Sequence, residues 1–80
     1  MMANLRFFAG AAEAARAETA TLSAGTIGEL RAELGERYGS EFVRVLGLCS
    51  LLVNGARATD DAVTLASTDT IDVLPPFAGG

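Results

Sequence analysis

The residues of this chain best suited to chemistry are the six at its end, Pro75-Pro76-Phe77-Ala78-Gly79-Gly80. The chemistry they suggest belongs to the terminal carboxylate rather than to a side chain. A carboxylate is a poor electrophile until it is activated, for instance as an acyl-adenylate made from ATP. It then accepts sulfur, oxygen or nitrogen nucleophiles. Such use needs reach, thinness and an unhindered end. Pro75 and Pro76 have fixed φ and no N–H, so they stop the tail from pairing back onto a sheet and stiffen it in an extended course. Extended, six residues span about 20 Å. Ala78, Gly79 and Gly80 are small enough to thread a narrow channel and lie against another backbone, and Phe77 offers an anchor for a partner's pocket.

The rest of the chain is poor in reactive groups. There is no histidine and no lysine, so the commonest general base and the commonest metal ligand are missing. Cys49 is the single cysteine. It can form neither an intrachain disulfide nor a thiolate cluster, and it reads as a core or edge thiol rather than a sulfur relay. Asp60, Asp61, Asp69 and Asp72 show no recurring ligand spacing and read as solvated acidic turns, so no metal site is expected. No nucleophile–base pair is visible, which argues against a free-standing enzyme. The net charge of −4 argues against nucleic acid as a partner. No run approaches the roughly 20 apolar residues of a membrane span, and Glu13 and Arg16 interrupt what would be a signal sequence. Eighty residues make one domain, and the lone thiol suits a reducing cytoplasm.

The elements that must hold such a tail follow from periodicity. Leu5 and Phe7 alternate with Arg6 and Phe8, the period of a strand, with Leu5 and Phe7 facing a core. The alanine-rich stretch AAEAARAE lacks large apolar anchors and is expected to be a loop with at most one helical turn. TATLS is a second strand, hairpin-paired with the first. Thr26 and Glu29 form a capping box. Behind it Ile27, Leu30, Leu34 and Tyr38 make one apolar stripe, and Gly39 stops the helix. Gly28 and Gly35 suggest close approach to a sheet. SEFVRVLGL is either a short helix or a loop. SLLV leads into Asn54-Gly55, the strongest two-residue hairpin signal. DAVTLASTD holds a turn or brief strand, and TIDVL is the last strand, with Ile71 and Val73 inward and Asp72 and Leu74 outward.

This order predicts an α+β domain, with one main helix packed on one face of a mixed sheet. The economical solution is a β-grasp, ubiquitin-like roll over residues 1–74, with residues 75–80 as an extended C-terminal tail. In that roll the first and last strands are neighbours at the centre of the sheet. Phe8 and Leu74 then share the face without the helix, where they form an exposed apolar patch of the kind that marks partner surfaces.

Four stretches, LRFFAG, TIGELRAEL, LLVNG and IDVLPPFAGG, stand in an order and spacing that resembles the ubiquitin-like sulfur carriers, specifically the MoaD-like small subunit of molybdopterin synthase. The Pro-Pro-x-x-Gly-Gly ending is the most specific of them, since thiamine-pathway sulfur carriers (ThiS-like) share Gly-Gly but usually lack the prolines. The resemblance implies that a ubiquitin-activating-like adenylyltransferase uses ATP to adenylate Gly80. A sulfur donor protein then converts the adenylate to a thiocarboxylate. The tail enters the large subunit of molybdopterin synthase, and the sulfur builds the dithiolene of molybdopterin. No cofactor is bound by the chain itself, and the catalytic side chains belong to the partner. Phe8, Leu74, Pro75, Pro76, Phe77, Ala78 and Gly79 match the family's partner-contacting positions. Two departures are visible. Thr68-Asp69 replaces the Gly-Asp often found before the last strand, and Phe77 replaces a small aliphatic residue. The alternatives are a carrier for thiamine or cysteine synthesis, a protein-conjugating modifier joined through Gly80, and a ubiquitin-like binding module with an inert terminus.

Overall fold

The computed structural model describes residues 3–76; the expected tail residues Phe77, Ala78, Gly79 and Gly80 lie outside them. The chain runs β1 (Ala3–Phe7), α1 (Ala9–Ala15), β2 (Thr19–Leu22), α2 (Ile27–Tyr38), α3 (Ser40–Leu46), β3 (Ser50–Val53), β4 (Ala56–Arg57) and β5 (Thr70–Leu74). The five strands form one mixed sheet in the order β2-β1-β5-β3-β4. β1 and β5 are parallel, with Leu5 opposite Ile71, Arg6 opposite Asp72 and Phe7 opposite Val73. The other pairs are antiparallel. This is the expected β-grasp arrangement.

Alternation sets the faces of the sheet. Ala3, Leu5 and Phe7 of β1, Leu51 of β3 and Ile71 and Val73 of β5 are buried in one core with Ile27, Leu30 and Leu34 of α2 and Phe42 and Leu46 of α3. Asn4, Arg6, Leu52, Asp72 and Leu74 alternate with those residues and face away from the helices. The period-2 and period-3.6 patterns therefore point at a single core, as a two-layer domain requires.

α2 begins as its capping box predicts, with one change. The Glu29 N–H donates to Thr26 Oγ1 at 3.1 Å. The Glu29 carboxylate accepts from the Gly25 N–H at 2.7 Å, one residue before the cap. The glycines of α2 serve close approach, but not to the sheet. At Gly28 a Cβ would lie 3.2 Å from Asp61 Cβ, and at Gly35 one would lie 3.0 Å from Val43 Cγ2 of α3. Gly39, at φ 92°, then turns the chain from α2 directly into α3.

Two expectations need correction. The alanine-rich stretch is a seven-residue helix, not a loop. Its buried residues are Ala11 and Ala15, spaced i, i+4. These small side chains belong to the same buried core as the sheet and the other two helices. The helix ends on Arg16 in the left-handed region at φ 57°. Consequently β1 and β2 are antiparallel neighbours joined through α1, not by a tight hairpin. The DAVTLASTD stretch contributes a single bridge, Thr26 to Thr64. No helix among the described residues is long and apolar enough to cross a membrane.

Candidate functional site

Two parallel strands, β1 and β5, end together just ahead of Pro75. Phe8 is still extended, at φ −123° and ψ 146°, and its N–H donates to the Val73 carbonyl at 3.2 Å. This places Phe8 opposite Leu74, one step beyond the Phe7–Val73 pair. The next ladder bond would need an N–H from residue 75, and Pro75 has none. The Phe8 carbonyl instead accepts from the Ala11 N–H at 3.0 Å, inside the first turn of α1. Ala9, at φ 49°, makes the sharp bend between them. On the other side of β5, Ser50 opposite Leu74 is the last β3–β5 pair. Pro75 thus releases the chain from the sheet at a defined point, with Pro75 half-buried and Pro76 exposed.

The structure brings Phe8 and Leu74 to the same open face. Phe8 is 39 % exposed and Leu74 is half-buried. Arg6 and Asp72, which alternation also places on this face, lie between the two apolar residues and the rest of the sheet. Arg6 and Asp72, cross-strand partners in register, form a bidentate ion pair with Nε–Oδ1 at 2.7 Å and Nη2–Oδ2 at 2.8 Å. The Asp72 hydrogen bond, then its charge, raises the Arg6 pKa further above its usual value. The guanidinium carbon lies 5.8 Å from the centroid of the Phe8 ring, at the outer range of a cation–π contact. Leu52 stands opposite Asp72 on β3, and Arg57 stands opposite Leu52 on β4. The open face therefore carries Phe8, Leu74 and Leu52 around a central ion pair. That pair is invisible to periodicity, because it exists only once β1 and β5 are paired in this register.

Beside Phe8 the surface dips into a shallow pocket of about 380 Å³, lined by Arg6, Phe8, Ala9, Ala12, Glu18 and Thr19 among others. It lies at the end of β1 and the start of α1, and nothing in the strand alternation foretells it.

Cys49 sits apart from this end chemically. Its thiol donates to the Val45 carbonyl at 3.2 Å. Burial pushes its pKa up, against a smaller opposing pull from Arg31. A thiol kept protonated is a weak nucleophile, in keeping with an edge thiol rather than a relay. Among the described residues no three His, Cys, Asp or Glu side chains cluster as metal ligands.

Comparison with known proteins agrees with this geometry. The model of the ThiS family matches residues 5–80. No curated protein matches the chain. Among solved structures, the chain is similar to one from the protein–protein complex of subunits 1 and 2 of molybdopterin-converting factor of Helicobacter pylori. The likeness has 32 % identity, a TM-score of 0.76 and 100 % coverage of both chains. It is similar to SAMP1 from Haloferax volcanii at 24 % identity and a TM-score of 0.83, again over 100 % of both chains. It is also similar to Urm1 from Trypanosoma brucei, at 18 % identity and a TM-score of 0.73, over 99 % of this chain and 95 % of that one. The last two likenesses bear on fold alone.

Proposed function

The chain belongs to the ThiS family of ubiquitin-like sulfur carriers, and from that we propose that it carries sulfur for molybdopterin synthesis as a thiocarboxylate on Gly80. The observation that carries the choice of pathway is the 32 % identity, over the whole of both chains, to a chain from the complex of the two molybdopterin-converting factor subunits. The two prolines ahead of the Gly-Gly ending support the same choice.

In this reading the Gly80 carboxylate attacks the α-phosphorus of ATP on a ubiquitin-activating-like adenylyltransferase, releasing pyrophosphate. A persulfide on a donor protein displaces AMP to give an acyl disulfide, and a thiol reductant cleaves its S–S bond, leaving the thiocarboxylate and the donor's cysteine. The charged tail enters the large subunit of molybdopterin synthase and gives its sulfur to the pterin precursor, and water restores the carboxylate. This chain contributes no acid or base. Its work is positioning. Pro75 ends the ladder, Pro76 directs the tail outward, and Ala78 and Gly79 pass through a narrow channel. Phe8, Leu74, Pro75 and Phe77 give the large subunit something to grip.

Intact mass of the protein isolated from its native cell with an unmodified C-terminus tests the chemistry. Replacement of one oxygen by sulfur, localised to Gly80, is the expected result. A carboxylate that stays unchanged after incubation with ATP, a sulfur source and the cognate activating enzyme would exclude the carrier role. Isopeptide-linked products would favour the modifier instead. Pathway is decided by adding large subunit and pterin precursor, with molybdopterin as the expected product.

The docking surface has its own test. Phe8→Ala is expected to weaken binding to the large subunit about tenfold, the effect of losing an aromatic anchor worth about 1.4 kcal/mol. The thermal midpoint should barely move, since Phe8 is already 39 % exposed. Unchanged affinity would remove Phe8 from the interface.

A further inference from the structure

The β3–β4 turn and the start of β5 are tied together through one side chain. Asn54 occupies the left-handed region at φ 52° and is followed by Gly55 at φ 86°. Its backbone N–H donates to the Thr70 carbonyl at 2.8 Å, continuing the β3–β5 ladder by one residue. The side-chain amide is then held at both ends. Oδ1 accepts from the Thr70 N–H at 3.0 Å, and Nδ2 donates to Asp69 Oδ1 at 2.8 Å. Asp69 is itself held in place, because its other oxygen accepts from the Ala66 N–H at 2.8 Å.

An asparagine followed by glycine carries its own reaction. The glycine nitrogen, with no Cβ beside it to block approach, can attack the asparagine side-chain carbonyl. We propose that Asn54 is a self-modification site guarded by this latch: the amide persists while Thr70 and Asp69 hold it and is hydrolysed when they release it.

The step balances without an oxidant or reductant. The Gly55 nitrogen bonds to Asn54 Cγ, the Cγ–Nδ2 bond breaks, and ammonia leaves carrying the proton from the Gly55 N–H. Water then opens the five-membered imide at either carbonyl. The products are an aspartate or an isoaspartate at position 54, so asparagine and water become acid and ammonia. In the latched state the amide plane is fixed by one bond at each end. Carrying Cγ onto the Gly55 nitrogen means turning an amide that these two bonds hold.

The products cannot restore the bond to Asp69. An aspartate at 54 sets a carboxylate oxygen where an N–H₂ donor faced Asp69. Asp69 stays biased toward its ionised form, since the Ala66 N–H still donates to it and lowers its pKa. Two like charges then meet where a hydrogen bond stood. Isoaspartate adds a methylene to the backbone of a two-residue turn, which disturbs the register that sets Val53 opposite Ala56 and Leu52 opposite Arg57. Hydrolysis is therefore a one-way record that this corner of the sheet has opened.

The test follows conversion of Asn54 by peptide mapping and mass spectrometry at mildly alkaline pH, well below the unfolding temperature. Four samples are compared: the full chain, its Asp69→Ala variant, a Leu34→Val variant and a free peptide of residues 50–58. Leu34→Val loosens the core without touching the latch. The full chain is expected to convert at least about tenfold more slowly than the peptide, the protection given by a closed local structure. Asp69→Ala should remove most of that protection, whereas Leu34→Val should keep it. Conversion of the full chain at the peptide's rate, or no greater conversion in Asp69→Ala than in Leu34→Val, overturns the proposal.

Discussion

Removal of Gly80 is expected to abolish sulfur transfer while leaving the folded domain intact. The shortened chain still ends in a carboxylate, now on Gly79, so the chemistry is not deleted; it is displaced. One extended residue is about 3.5 Å. A misplacement of about 1 Å at a reacting centre already costs on the order of 10²-fold, so the loss in rate should be at least that large. Addition of one residue after Gly80 should cost as much, because the carboxylate then overshoots. The two changes together separate reach from composition: a tail that merely grips its partner would tolerate both. The thermal midpoint should stay put, since the core ends at Val73 of β5. Single-turnover formation of molybdopterin from a pre-formed thiocarboxylate checks the prediction without relying on the activating enzyme. Transfer at an undiminished rate by either variant would mean that Gly80 is not the carrier position.

Much of the frame that delivers this terminus was legible in the sequence, and the reason lies in particular residues. Leu5 and Phe7 flank Arg6, Ile71 and Val73 flank Asp72, and strands with one buried face are strongly specified by such alternation. Thr26 and Glu29 mark the start of α2 because a helix start must satisfy its own N–H groups. Asn54-Gly55 fixed the β3–β4 turn because both positions lie at positive φ. With one helix long enough to cover a sheet, the placing of β1 beside β5 followed, and with it the meeting of Phe8 and Leu74.

What stayed hidden depends on pairing or on small size. α1 buries only alanines, and a rule that looks for large apolar residues passes over a helix packed by small ones. The Arg6–Asp72 pair joins residues 66 positions apart and needs the parallel register before it means anything. The second use of Asn54, as a latch to Asp69 and Thr70, could not be seen while it was read only as a turn former. The pocket beside Phe8 includes the bend at Ala9, where an alanine takes a backbone conformation usually left to glycine.

Phe42→Ala should be strongly destabilising, and its effect should reach the site. Phe42 is 1 % exposed. Its ring stands edge-on to Phe7, with centroids 5.7 Å apart at 81°, and tilted against Tyr38 at 5.1 Å and 50°. Phe7 and Tyr38 complete the triangle at 5.8 Å and 89°. Truncating such a residue costs about 3–5 kcal/mol. A domain of this length is stable by only about 4–12 kcal/mol, at roughly 0.05–0.15 kcal/mol per residue. The variant therefore sits near the folding threshold. At about 4–8 °C per kcal/mol for a domain this small, its midpoint should fall by at least about 12 °C, which thermal and denaturant melts followed by circular dichroism would measure. Phe42→Leu keeps most of the volume and forfeits mainly the ring geometry, worth about 0.5–1.5 kcal/mol for each aromatic pair, so it should remain folded. That makes it the informative variant for function. Phe42 supports Phe7, and Phe7 is the residue before the aromatic offered to the partner. Phe42→Leu should weaken large-subunit binding even at temperatures where it is fully folded, because β1 loses its support directly beneath Phe8. Full affinity in folded Phe42→Leu would show that the end of β1 is held by its ladder to β5 alone, and that the aromatic triangle serves stability without shaping the interface.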